Sequence, residues 1–181
     1  MSERTQNIAM NTKILVTYAT CTGSTAQVAE VVANTLRKSG TVVELTPIQE
    51  VTDLTPYHAI VIGSPVQNRQ WLPKAVEFVQ TNRSVLRKKK IAMFTLCITL
   101  AMRNGEKFRP DVFAWIAPVR TMLQPISEGL FAGVLDISKI PSFSDRLKFR
   151  LSVLFGVWSQ GDHRNWDAIN VWVLDLQQQL K

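Results

Sequence analysis

The stretch Thr20-Cys21-Thr22-Gly23-Ser24-Thr25 joins an apolar run, Ile14-Leu15-Val16-Thr17-Tyr18, to a segment with helical spacing that begins near Thr25. It puts four hydroxyls and a glycine where a strand turns into a helix N-terminus. The first amides of a helix have no intrahelical acceptor and the dipole there is positive, so a dianionic phosphate is a natural occupant. Capping a helix needs one or two such side chains, and four in six residues point to the phosphate. Two other phosphate loops are excluded, because the stretch has neither Gly-Lys-Ser/Thr nor the G-x-G-x-x-G of dinucleotide sites. With hydroxyls and no cationic side chain in the loop, the pattern fits a mononucleotide that binds and stays.

Outward from this loop, strand and helix patterns alternate. Val28, Val31, Val32 and Leu36 recur at helical spacing over residues 24–39, and Gly40 closes the helix. Residues 41–46 read as a second strand, 47–57 as a polar connection, and 58–63 (HAIVIG) as a third strand. A helix over residues 71–83 carries Pro73 in its first turn and Leu72, Ala75, Val76 and Val79 on one face. The basic run Arg87-Lys88-Lys89-Lys90 precedes a fourth strand at 91–96. Residues 108–123 form a helical pattern in which Pro118 is expected to kink or break the helix. A fifth strand is expected at 130–135, and a last helix at about 165–180 with Trp166, Ile169, Val173 and Leu176 inward. Strands separated by helices of this length make right-handed β-α-β units around a parallel sheet, with the ligand at the carboxyl ends of the strands.

The chain has 181 residues, enough for one domain with a proper core, expected to cover residues 12–181 behind a flexible tail at 1–11. No apolar run reaches the roughly 18 to 20 residues that span a bilayer, and MSERTQNIAMN lacks a hydrophobic signal core, so a cytoplasmic protein is expected. Cys21 and Cys97 provide no disulfide framework, which agrees with a reducing compartment. His58 and His163 have no partners at metal-ligand spacing, so no metal is expected. The net charge of +7 points to anionic partners.

Thr20-x-Thr22-Gly23-x-Thr25 directly after the first strand resembles the FMN phosphate loop of the flavodoxins. The likeness extends from Lys13 to the C-terminus. Two further stretches, Gly63-Ser64-Pro65-Val66 with Arg69-Gln70-Trp71-Leu72-Pro73, and Gly161-Asp162-x-Arg164-x-Trp166-Asp167, resemble the subgroup that includes menaquinone-dependent protoporphyrinogen dehydrogenase. The resemblance implies an α/β flavodoxin-like three-layer sandwich with a five-stranded parallel sheet in order 2-1-3-4-5. It implies FMN as cofactor, its phosphate on Thr20, Cys21, Thr22, Gly23, Ser24 and Thr25. The flavin ring would lie between the loop of Ser64, Pro65, Val66, Gln67, Asn68, Arg69 and Trp71 and that of Thr95, Leu96, Cys97, Ile98 and Thr99, with Trp71 either stacked on it or starting a helix. Gln67 stands where the subgroup implies an aromatic residue and Arg69 where it implies glycine. Arg69, if inward, would raise the reduction potential. In this strand order Cys21 and Cys97 are about 10 Å apart, too far for a disulfide. Asp162 either caps the last helix or faces the flavin, as Arg164 also could. No residue is singled out as catalytic.

A connection at about 140–160 exceeds what such a fold needs. Read as a helix, it places Leu147, Leu151, Leu154, Phe155 and Trp158 on one face and Arg146, Lys148 and Arg150 as a basic head. That pattern suggests peripheral contact through 146–158 with the inner face of a membrane, a partner, or packing on the protein's own core. Flavodoxin shuttles are typically acidic around the flavin edge, whereas this chain is basic. The resemblance therefore implies an oxidoreductase passing electrons from a reduced small molecule, protoporphyrinogen among the candidates, to a quinone, with no nucleic acid partner. Two alternatives stand beside it: a non-catalytic electron carrier, and a flavodoxin-fold interaction module without cofactor.

Overall fold

A computed structural model describes residues 13–140 and 142–180; the expected tail at residues 1–11 lies outside them. The chain runs β1 (Ile14–Tyr18), α1 (Ser24–Arg37), β2 (Val43–Pro47), β3 (Ala59–Gln67), β4 (Gln70–Trp71), α2 (Pro73–Thr81), α3 (Arg83–Leu86), β5 (Lys90–Leu96) and α4 (Arg109–Leu123). It continues through β6 (Ser127–Phe131), β7 (Val134–Leu135), α5 (Phe143–Leu154), β8 (Gly161–Asp162) and α6 (Trp166–Leu180). The central strands are parallel and lie in the order β2-β1-β3-β5-β6, which is the expected 2-1-3-4-5. Two short antiparallel pairings are additions to it: β4 on β3, and the ribbon β7-β8.

Alternation along the strands splits the core into two layers. Ile14, Val16, Val61 and Phe94 point to one face, where α1 and α6 cover them with Val28, Val32, Leu36, Ile169, Val173 and Leu176. Leu15, Ile60, Ile62 and Met93 point to the other, under Ala75 and Val79 of α2 and Ile116 and Val119 of α4. Burial on both sides explains the unbroken apolar runs of β1 and β3. At Gly63 an added Cβ would stand 2.0 Å from the Phe94 ring, so a side chain there would displace the core.

Several elements differ from the sequence-based expectation, among them the helix expected at 71–83, which begins only at Pro73, with Trp71 in β4, and is divided at Asn82. The helix containing Pro118 is continuous over Arg109–Leu123. The fifth strand begins earlier, at Ser127, because tertiary partners compensate its polar start. Arg120 donates to both Glu128 oxygens, at 2.6 and 2.9 Å, and Trp172 Nε1 donates to Ser127 Oγ at 3.0 Å. The third strand is longer than expected and turns back on itself through β4. Asn68 and Arg69 both have positive φ, 51° and 61°, as a two-residue type I′ hairpin requires.

Candidate functional site

The strand-order reversal lies between β1 and β3, and the expected site residues gather at the carboxyl edge there. Thr20–Thr25 forms the turn from β1 into α1. Gly23, at the N-cap, has φ +91°, a conformation glycine adopts without penalty, and its amide donates to Thr20 Oγ1 at 3.0 Å. The N-cap, being a glycine, offers α1 no capping side chain. Thr25 is fully buried and its Oγ1 has no hydrogen-bond partner, as is the case for Thr17 Oγ1 on β1. A buried orphaned hydroxyl costs about 1 to 3 kcal/mol, and a bound group that accepts or donates to it is one way such a cost is offset. The donor set and this orphan fit a phosphate ester.

Two cations that the sequence reading did not assign to the loop are brought to it by the fold. Lys74 Nζ, from the first turn of α2, donates to the Thr20 carbonyl at 3.3 Å. Arg164 donates through Nη1 to the Ser24 carbonyl at 3.0 Å and to Gln27 Oε1 at 2.7 Å. The Arg164 side chain is only 6% exposed and lies 4.3 Å from the centroid of the Trp166 ring. It is also locked to Asp162, with Nε on Oδ1 at 2.8 Å and Nη2 on Oδ2 at 2.6 Å. That hydrogen-bonded pairing holds the Asp162 carboxyl below the usual carboxylate range. Asp162 therefore does not cap the last helix. Asn165 does, accepting from the Ala168 amide at 2.9 Å. The Gly161-Asp162-x-Arg164 stretch thus acts on the phosphate loop from outside, over a separation of about 140 residues that no local pattern reveals.

The β3-β4 hairpin forms the next wall. Ser64 is buried; its hydroxyl donates to the Pro65 carbonyl at 3.0 Å and accepts from the Leu72 amide at 3.2 Å, which ties the two ends of the hairpin. Cys21 Sγ contacts Gln67 Oε1 at 3.8 Å, so the phosphate loop and the hairpin tip meet. Val66 is half-buried, while Gln67, Asn68 and Arg69 are exposed. Arg69 lies over the ring of Trp115 of α4, 5.9 Å from its centroid. Trp71 is different: its exposure is zero, and Nε1 donates to Thr95 Oγ1 at 2.9 Å. Its ring has no open face for stacking, so its contribution is to hold the hairpin against the end of β5. The aromatic ring beside the hairpin tip is instead Trp115, missed because its position follows from helix packing.

Thr95, Leu96 and Cys97 are buried at the end of β5, and Ile98 and Thr99 are half-buried beyond it. The Cys97 amide donates to the Phe131 carbonyl at 2.9 Å, anchoring this loop to β6. Burial pushes the Cys97 thiol up, against weaker hydrogen bonds from Thr99. Cys21 is exposed, both thiols are free, and β3 stands between their strands, as expected. Each histidine bonds a backbone carbonyl, His58 to Lys13 and His163 to Ser159. Among the described residues no group of three His, Cys, Asp or Glu is placed to hold a metal ion.

Comparisons with known proteins agree with this architecture. A flavodoxin from Fusobacterium nucleatum bound to flavin mononucleotide is similar over 93% of this chain and 99% of its own, at 11% identity and a TM-score of 0.57. A short-chain flavodoxin associated with a bacterial microcompartment is similar over 93% and 99%, at 15% identity and a TM-score of 0.58. Rubredoxin oxygen:oxidoreductase from the anaerobe Desulfovibrio gigas is similar over 93% of this chain, at 16% identity and a TM-score of 0.51, but the chain spans only 37% of that protein. No curated protein sequence matches. The family model described as flavodoxin domain matches residues 15–155, from the first strand through the phosphate loop and the hairpin to the end of α5, and the chain belongs to that family.

Proposed function

We propose that the protein holds FMN noncovalently and is an oxidoreductase that passes electrons from an anionic reduced substrate, of which a porphyrinogen is one example, to a quinone. The observation that carries this reading is the loop Thr20–Thr25, with the buried, unpartnered Thr25 hydroxyl inside it and Lys74 and Arg164 bonded to its carbonyls. Its amides and hydroxyls would hold the phosphate, and Lys74 would offset part of the charge of a dianion, Arg164 being already paired with Asp162. Ser64–Arg69 and Thr95–Thr99 would flank the ring. The bound flavin supplies the electron-accepting and electron-donating chemistry. The chain's own residues bind, orient and shield it.

Arg69 supports an anionic substrate rather than a small protein reductase as partner. It sits in a left-handed conformation that costs a non-glycine residue about 1 to 2 kcal/mol, at a position where glycine would be free of strain. A strained cation kept at the rim of the site, in a chain of net charge +7, suits a substrate with carboxylates. A second reading is the one-electron carrier, favoured by similarity to flavodoxins over nearly their whole length.

The test is the purified protein's visible spectrum followed by turnover. A flavin band that is released by denaturation, and FMN-dependent reduction of menadione with protoporphyrinogen as donor, are expected. Flavin without turnover, with single-electron reduction by a flavodoxin reductase, would establish the carrier. A colourless protein that takes up no FMN would leave only a cofactor-free module.

A further inference from the structure

The connection expected at about 140–160 contains α5, and its orientation reverses the usual arrangement. Ser142 caps the helix, accepting from the Asp145 amide at 3.3 Å, yet none of its residues is buried. The half-buried side of α5 carries Asp145, Arg146, Phe149, Ser152 and Val153, with Phe149 edge-on to Trp158 at 5.9 Å. Facing outward are Phe143, Leu147, Leu151 and Leu154, spaced four, four and three residues apart so that they form one stripe. Phe143, Leu154 and the adjoining Phe155 are 76%, 78% and 77% exposed. Packing on the protein's own core is therefore not what this apolar face is for. A continuous outward stripe of this kind is uncommon on a protein surface and marks a docking face.

The charges around the stripe indicate what docks. Helical spacing puts the exposed Arg150 along one border of the stripe and the exposed Lys148 along the other, while Arg146 lies on the half-buried side. Lys148 pairs with Asp145 at 3.1 Å but is itself 75% exposed. A second copy of the chain would bring these cations against their own kind. An acidic planar surface would meet them on both sides while it takes up the apolar residues, the geometry of a helix lying in a lipid interface. Among the described residues no helix is long and apolar enough to cross a membrane, so the contact is peripheral.

We propose that α5 and Phe155 dock the protein on an anionic lipid bilayer. The helix leaves the sheet after β6 and is inserted between the strands of the β7-β8 ribbon, whose end carries Arg164 onto the phosphate loop. Docking would thus hold the carboxyl edge of the sheet near the membrane. It rests on the exposed stripe and its cations alone, so it can stand or fall apart from the redox reading.

Co-sedimentation of the full chain with phosphatidylcholine vesicles, with and without phosphatidylglycerol, tests it. Wild type should bind the anionic vesicles and lose affinity as salt rises. Leu151→Asp/Leu154→Asp should weaken binding by at least about tenfold, since each residue loses its apolar contact with the bilayer. Arg150→Glu should weaken it about fivefold or more. Far-ultraviolet circular dichroism and the thermal midpoint of each variant should match wild type, since these side chains touch little of the protein. Failure of wild type to bind either vesicle, or undiminished binding by the double Asp variant, overturns the proposal. So does concentration-dependent self-association that the double variant abolishes, which would identify a second copy as the occupant.

Discussion

Thr25 and Arg164 show how single residues are judged by their surroundings. A buried hydroxyl without a partner destabilises a protein by itself. Thr25→Val should therefore be neutral or slightly stabilising in the absence of flavin, while weakening FMN binding by about 1 to 3 kcal/mol, roughly 5- to 150-fold. Arg69→Ala should change that affinity far less; fluorescence titration with FMN checks both, and equal losses would contradict the placement of the phosphate. The Asp162–Arg164 pair gives a pH dependence whose sign is determined. The Asp162 carboxyl titrates lower when folded, so its contribution is present above its unfolded value of about 3.9 and is lost as pH falls through the folded value. The stability this pair contributes should be constant from neutral pH to about 4 and then fall. Asp162→Asn should lower the thermal midpoint of the flavin-free protein at neutral pH and flatten that acid limb.

At the scale of elements, the β3-β4 hairpin is where local backbone preference and the role proposed for Arg69 conflict. Asn68 is at ease with positive φ, but arginine is not. Arg69→Gly should raise the thermal midpoint by about 2 to 4 °C through relief of strain. The same change should lower activity toward an anionic substrate if the cation serves it. Trp71 behaves in the opposite manner, as a buried clamp between hairpin and β5. Trp71→Phe should cost about 1 to 2 kcal/mol in urea unfolding, because the Thr95 hydroxyl loses its donor, and should leave the flavin absorption band nearly unchanged. A large spectral shift would mean that Trp71 contacts the ring after all.

For the molecule as a whole, charge distinguishes the two functional readings. A carrier working by encounter with a partner protein would show electron-transfer rates that depend strongly on ionic strength. With protoporphyrinogen and a quinone, an enzyme should turn over repeatedly, and its KM for the anionic substrate should rise with salt while kcat changes little. Steady-state assays across a salt series separate these outcomes.

Much of the architecture follows from the sequence alone. Apolar strands alternating with amphipathic helices, and the hydroxyl-rich turn after β1, are local signals, so the parallel strands and the turn that the proposed function gives to a phosphate are legible without coordinates. The order 2-1-3-4-5 was implied by the family likeness carried on that turn. Tertiary structure alone decided which distant groups reach the loop: Lys74 from α2 and Arg164 from beyond β8 make contacts that no spacing encodes. It also decided that Trp71 is enclosed while Trp115 lies beside Arg69, and that the apolar side of α5 faces outward. Periodicity shows that a helix has an apolar face, because that is a property of its own residues. Whether the face meets the core or the solvent depends on which surfaces the rest of the chain leaves to be covered.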